Sequence, residues 1–186
     1  MALKDLLRRA VKTLTAPTKR ERPPRRGDGG SHRPGEGHAV PRPRGDAPAF
    51  DIADLDGITI TYAPEPGAEP DPGEVVWTWV PYEDDPSQGK DRPVLVLDTA
   101  GDGPDDGWVG LMLSSQDHDR DAADEARFGR HWMDVGTGGW DSQGRPSEVR
   151  LDRLVHLERD GVRREGAALD ARIFDEVVAA VRGLSR

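Results

Sequence analysis

Residues 74–98 read EVVWTWVPYEDDPSQGKDRPVLVLD, and the two apolar runs at their ends set the fold. In Glu74–Tyr82, Val75, Trp77 and Trp79 alternate with Val76, Thr78 and Val80, so both faces of the segment are apolar. A strand of that kind suits the interior of a sheet covered on both sides, and Pro81, which has no N–H to give a ladder, ends it. Arg92–Asp98 reads as a second buried strand, with Pro93 at its start, where a missing N–H is tolerated. Between the runs, a polar loop closes on Gly89-Lys90-Asp91-Arg92-Pro93.

Outward from this pair, Trp108–Ser115, His131–Val135 and Glu148–Glu158 have strand length and composition, and a short strand fits Ile58–Tyr62. The passages AGDGPDDG and GTGGWDSQGRP are turns. The tail, Asp170–Leu184, is helical: Ile173, Phe174, Val177, Val178 and Val181 share one face, Asp170 suits the N-cap and Gly183 lies near the end. Several short strands and one terminal helix predict a mainly β domain over residues 58–186, a small, partly open β-barrel.

The segments ahead of it differ in kind. Leu3, Leu6, Leu7, Ala10, Val11 and Leu14 mark one face of a basic amphipathic helix over residues 1–15. Such a helix suits a partner's groove or a weak contact with a membrane surface, and a helix this short also frays readily alone in water. Residues 16–57 are rich in Pro, Arg and Gly, too poor in apolar surface to offset the entropy of ordering, and read as a disordered basic linker. Residues 1–46 hold 12 Lys/Arg against 5 Asp/Glu, a net of +7, whereas residues 47–186 carry −16. With no cysteine, thiol nucleophiles, disulfides and thiolate metal sites are excluded. No apolar run of membrane-spanning length and no good signal peptide occurs, so the expected location is the cytoplasm.

The chain has no P-loop, dinucleotide fingerprint, HExxH or G-x-S-x-G. The acidic run Asp102–Asp106 lacks the spacing of an EF-hand loop. Asp117-His118-Asp119, with His131 further on, reads as solvated loop rather than as a metal centre. What stands out is an ordered series. A Gly-acid strand start (Gly73-Glu74-Val75-Val76-Trp77) is followed by the Gly89-Lys90-Asp91-Arg92-Pro93 loop and the aliphatic run Val94–Leu97. An apolar strand ending in hydroxyls (Leu111-Met112-Leu113-Ser114-Ser115), a late strand opened by Ser147 and a closing helix complete it.

That series resembles the PemK/MazF toxin family over residues 72–184, most specifically in the loop that ends in Arg-Pro before aliphatics. The resemblance implies an SH3-like β-barrel with an appended helix and a homodimer. It also implies an antitoxin partner, and cleavage of single-stranded RNA with no metal or other cofactor. It places the catalytic arginine at Arg92. The catalytic threonine falls at Ser114, which keeps the hydroxyl and loses a methyl group. Where the family's late strand often carries an arginine, this chain has Val155.

The chemistry suits those residue types. Attack by the RNA's own 2′-OH needs in-line placement, stabilisation of charge on the phosphoryl oxygens and a proton for the leaving 5′ oxygen. A guanidinium is planar, charged and bidentate toward phosphate, so Arg92 fits the second need. Ser114 is expected to hydrogen-bond a phosphoryl oxygen or orient the 2′-OH. Lys90, Ser115, Arg150 and Arg153 are the expected RNA contacts. Asp85 or Glu83 is the candidate acid for orienting Arg92 or accepting a proton. Of the tryptophans, Trp77 and Trp79 read as core, and Trp140, in a Gly-rich turn, as a base platform or dimer contact. Against this stands the acidic body: residues 71–186 carry a net of −11. It favours an alternative, a non-catalytic small-barrel module that binds a protein or peptide in the same groove.

Overall fold

The computed structural model describes residues 52–55, 59–101, 106–118 and 122–184. The expected helix 1–15, most of the linker and Asp102–Asp105 lie outside the described residues. Six strands, β1 (Glu74–Pro81), β2 (Gly89–Thr99), β3 (Trp108–Ser114), β4 (Trp132–Gly136), β5 (Ser147–Leu157) and β6 (Arg163–Ala168), form one curled antiparallel sheet. Their order is β4-β5-β3-β2-β1-β6. A short helix α1 (Ala122–Arg127) precedes β4, and α2 (Ala171–Leu184) closes the domain.

Alternation along the central strands feeds two cores. Val75, Leu95, Leu97, Val109, Leu111 and Leu113 face α2, which buries Phe174, Val177, Val178 and Val181 against them. Each such side chain contributes roughly 1.5–3 kcal/mol. Val76, Val80, Val94, Val96, Trp108, Met112, Val155 and Leu157 form the second core on the opposite face. Both sides of β1 thus feed a core, Val75 on one and Val76 and Val80 on the other, but Trp77 and Trp79, expected in the core, are only partly buried and belong to neither. Pro93 stands beside Trp77 of β1, just before the β2–β3 ladder begins at Val94↔Met112. Asp170 caps α2: its Oδ1 accepts from the backbone N–H groups of Arg172 at 3.0 Å and Ile173 at 3.3 Å.

The structure departs from the sequence reading in four places. No strand forms over Thr59–Tyr62, because both sides of β1 are already paired. Instead Ile60 and Tyr62 pack as side chains on the α2 side, and the Tyr62 hydroxyl donates to the Leu169 carbonyl at 2.8 Å. Ile52–Leu55, assigned to the linker by composition, form a 3₁₀ turn with Ile52 and Leu55 buried in the α2-side core. The packed domain therefore includes residues ahead of position 58. Strand β6 and helix α1 were not foreseen. The first is short and carries charged residues and glycine, and the second is too short to show a periodic face.

Candidate functional site

The second core is open at one end, where a groove of about 410 Å³ is lined by Val80–Asp84, Arg92, Met112, Ser114, His118, Trp132, Arg150 and Arg153, among others. Strand alternation explains how its polar residues get there. Arg92, Val94 and Val96 share one face of β2, and Met112 and Ser114 share the same face of β3. With Val94 paired to Met112, the next residues on that face, Arg92 on β2 and Ser114 on β3, both lie at the end that lines the groove. Ser114 is buried and its Oγ accepts from the N–H of Gln116 at 3.1 Å.

Strand β5 contributes through an irregularity. It advances from Val149 to Leu154 while β3 moves only from Leu113 to Leu111. The extra residues turn both Arg150 and Arg153 toward the groove, as bulges beside sites commonly do. Their circumstances differ. Arg150 is buried and hydrogen-bonds Asp152 through Nε and Nη2 and Glu83 through Nη2 at 2.7 Å. Burial opposes its charge, but those carboxylates together outweigh it, so its pKa is raised. Arg153 donates to the Pro81 carbonyl at 2.9 Å and lies 3.8 Å from Glu83, and burial lowers its pKa. Arg92 is half-buried, and its guanidinium forms no ion pair or hydrogen bond among the described residues. Burial lowers its pKa, with Tyr82 opposing and Arg150 adding to the shift. An arginine so placed remains charged and has its fork free for an incoming anion.

Several expected site residues are elsewhere. Lys90 shares the Arg92 face of β2 but projects into solvent beyond the groove. Ser115 is exposed and outside the lining. Asp85 is occupied by its own turn, accepting from the Ser87 N–H and Oγ and from Gln88 Nε2, and the last two bonds are the main cause of its lowered pKa. The carboxylates at the groove are Glu83, Asp84 and Glu125. Trp140 offers no face to a base: it is 3% exposed, donates from Nε1 to Ser147 Oγ and accepts from Trp77 Nε1 on its carbonyl. Tyr82 and Trp132 are the tyrosine and tryptophan that line the groove, and Trp132 is stacked on His118 with ring centroids 3.8 Å apart and planes 3° apart.

His118 is the residue that sequence reasoning set aside. Its Nδ1 lies 2.7 Å from Glu148 Oε2, and its backbone N–H reaches both carboxylate oxygens of Glu148 at 3.2 Å. Glu148 is opposite Ser114 in the β3–β5 ladder, which is how the ring reaches the groove. The signal available was the alternation in Ser147-Glu148-Val149-Arg150, which puts Glu148 and Arg150 on one face.

The groove lining holds Arg92, Arg130, Arg150 and Arg153 against Glu83, Asp84 and Glu125, with Asp152 paired to Arg150, a near balance of charge within an acidic body. No helix among the described residues is long and apolar enough to cross a membrane. No curated protein matches the chain. A family comparison does match, over residues 71–184, and that span contains every strand and both helices. By that match the chain belongs to the PemK-like, MazF-like toxins of type II toxin-antitoxin systems.

Proposed function

We propose that this toxin is a ribonuclease that holds single-stranded RNA in the groove and cuts it by attack of the 2′-OH on the adjacent phosphorus. The observation that carries the reading is Arg92: a half-buried guanidinium with no partner among the described residues, lining the groove with a serine hydroxyl, while Arg150 beside it is already neutralised. A cation kept out of solvent without a counter-charge is poised for an anion that arrives. Arg92 takes the non-bridging phosphoryl oxygens, and Ser114 donates to one of them or aligns the 2′-OH. The products are a 2′,3′-cyclic phosphate and a 5′-hydroxyl. Arg150 is a positioning residue here, tying Glu83 of the β1–β2 loop to β5. Glu83, and not Asp85, is the loop carboxylate that reaches the groove, where it holds Arg150 rather than Arg92, and Arg153 remains the second cation available to a phosphate. Membership of the family implies an antitoxin partner, and the cytosol is where both it and RNA would be met.

The test is to incubate the purified protein with a structureless RNA, with and without EDTA. Equal cleavage in both, with cyclic-phosphate ends, is the expected outcome. The second reading, a binding module, draws on the acidic body, and intact RNA at high protein concentration would establish it in place of cleavage.

Two further outcomes are expected. Ser114→Thr should cleave at least as well as the native protein, since it keeps the hydroxyl and adds rotamer control. Ser114→Ala should lose on the order of tenfold, roughly one hydrogen bond's worth of transition-state stabilisation. Single-turnover rates on one substrate check both. The protein should also sediment as a homodimer at micromolar concentration, with a self-complementary two-fold contact. A monomer under those conditions would rule out a groove shared between two copies.

A further inference from the structure

We infer that His118 is the general base of the cleavage, taking the proton of the attacking 2′-OH on Nε2 while Glu148 holds the opposite edge of the ring. The inference rests on the proposed RNA cleavage and assigns a residue that nothing in the family match places.

Three observations converge on it. Glu148 Oε2 sits 2.7 Å from Nδ1, a contact that a carboxylate accepts from an Nδ1–H, and in the neutral ring that serves as a base this leaves the lone pair on Nε2. Nε2 has no hydrogen-bond partner among the described residues, and His118 lines the groove with Arg92 and Ser114. The ring is also fixed: the backbone N–H of His118 is bound to Glu148, and one ring face lies flat on Trp132, whose Nε1 is 3.3 Å from Glu125 Oε2. A surface histidine has no need of this much restraint. A base that must meet a hydroxyl along one line does.

The step balances within the site. The 2′-O–H bond breaks and its proton passes to Nε2, and the oxygen's electron pair forms the bond to phosphorus. The P–O5′ bond breaks with its pair on O5′, which is protonated from solvent through the open groove. The imidazolium, stabilised by Glu148, then returns its proton to water. Among the described residues, the charged groups near the ring are Glu148 from β5, Asp117 just before it in the chain, and Glu125, which accepts from Trp132 Nε1 and lies 3.6 Å from Arg130. The rest of the groove lining adds Arg92, Arg150 and Arg153 with Glu83 and Asp84.

The experiment uses the full chain and an oligonucleotide with one ribonucleotide linkage, in two forms: the native 5′ oxygen, and a 5′ sulfur that leaves without needing a proton. His118→Gln should lower kcat about 10²-fold with KM little changed, and the loss should be the same on both substrates. Imidazole in solution should partly restore His118→Gly, and Glu148→Gln should displace the imidazole-dependent limb of the pH–rate profile. If His118→Gln cuts like the native protein, or if its loss vanishes on the sulfur substrate, His118 is not the base. If His118→Gln does not fold, an unmoved profile in Glu148→Gln overturns the inference instead. Arg92→Ala separates the two readings. Cleavage that depends on Arg92 but not on His118 removes this inference alone, whereas a native protein that cuts neither substrate removes the proposed function and this inference with it.

Discussion

Arg92→Ala is expected to leave the fold intact and slow RNA cleavage about 10²–10³-fold, an effect of roughly 2.7–4 kcal/mol on the transition state. The two halves of that expectation have one cause. The guanidinium is half-buried and unpaired among the described residues, so removing it strands no carboxylate and relieves a desolvation cost. What is lost is the fixed charge that meets the phosphoryl oxygens only as they become more negative. Arg92→Lys should recover part of the rate, because the ammonium restores charge without the planar fork. The control is Arg150→Ala, which breaks a buried pair and should be seen first as lost stability. Cleavage rates with melting curves for the three variants check the argument. Full activity in Arg92→Ala would remove Arg92 from the catalysis, and background cleavage by the native protein and Arg92→Ala alike would return the groove to the binding reading.

A chain beginning at residue 58 is expected to lose most of its stability, while one beginning at residue 47 should melt close to the full-length protein. The difference lies in two side chains. Leu55 is 1% exposed and Ile52 6%, and both sit in the core beneath α2. Truncating one buried leucine or isoleucine typically costs about 2–5 kcal/mol, and deleting both approaches the whole stability of an ordinary domain, about 5–15 kcal/mol. Leu55→Ala in the full chain gives the intermediate case. Differential scanning calorimetry on the two shortened chains, Leu55→Ala and the full-length protein decides it. If the chain from residue 58 melts with the others, the turn is decoration and the core closes without it.

The extent to which the sequence disclosed all this can be judged residue by residue. The apolar alternation of β1, the aliphatic run of β2 and the Asp170 cap are local signals, and they appear where they were expected. Arg92 and Ser114 come together because one face of a strand can be counted in twos. The misreadings are tertiary. Trp140 stands among glycines and aspartates, and only the packed fold shows that its ring turns inward to reach Ser147. Ile52 and Leu55 are isolated apolar residues whose burial depends on a helix more than a hundred positions away. Asp85 was the more legible miss, since Asp-Pro-Ser commonly folds back on its own backbone, leaving Glu83 to face the arginines. His118 was passed over because its partner, Glu148, is thirty residues on and is reached only through the β3–β5 ladder.

The sheet order has a consequence for synthesis. β1 is held between β2 and β6, and the turn at Ile52–Leu55 waits for α2, so both find partners far along the chain. Contacts of such long sequence separation form late, after the intervening chain is available. A ribosome that has translated Arg92 and Ser114 still carries a chain without the β5 wall of the groove. The groove can therefore be assembled only after β5 has left the ribosome, and the core on the opposite face closes later still, when α2 is available.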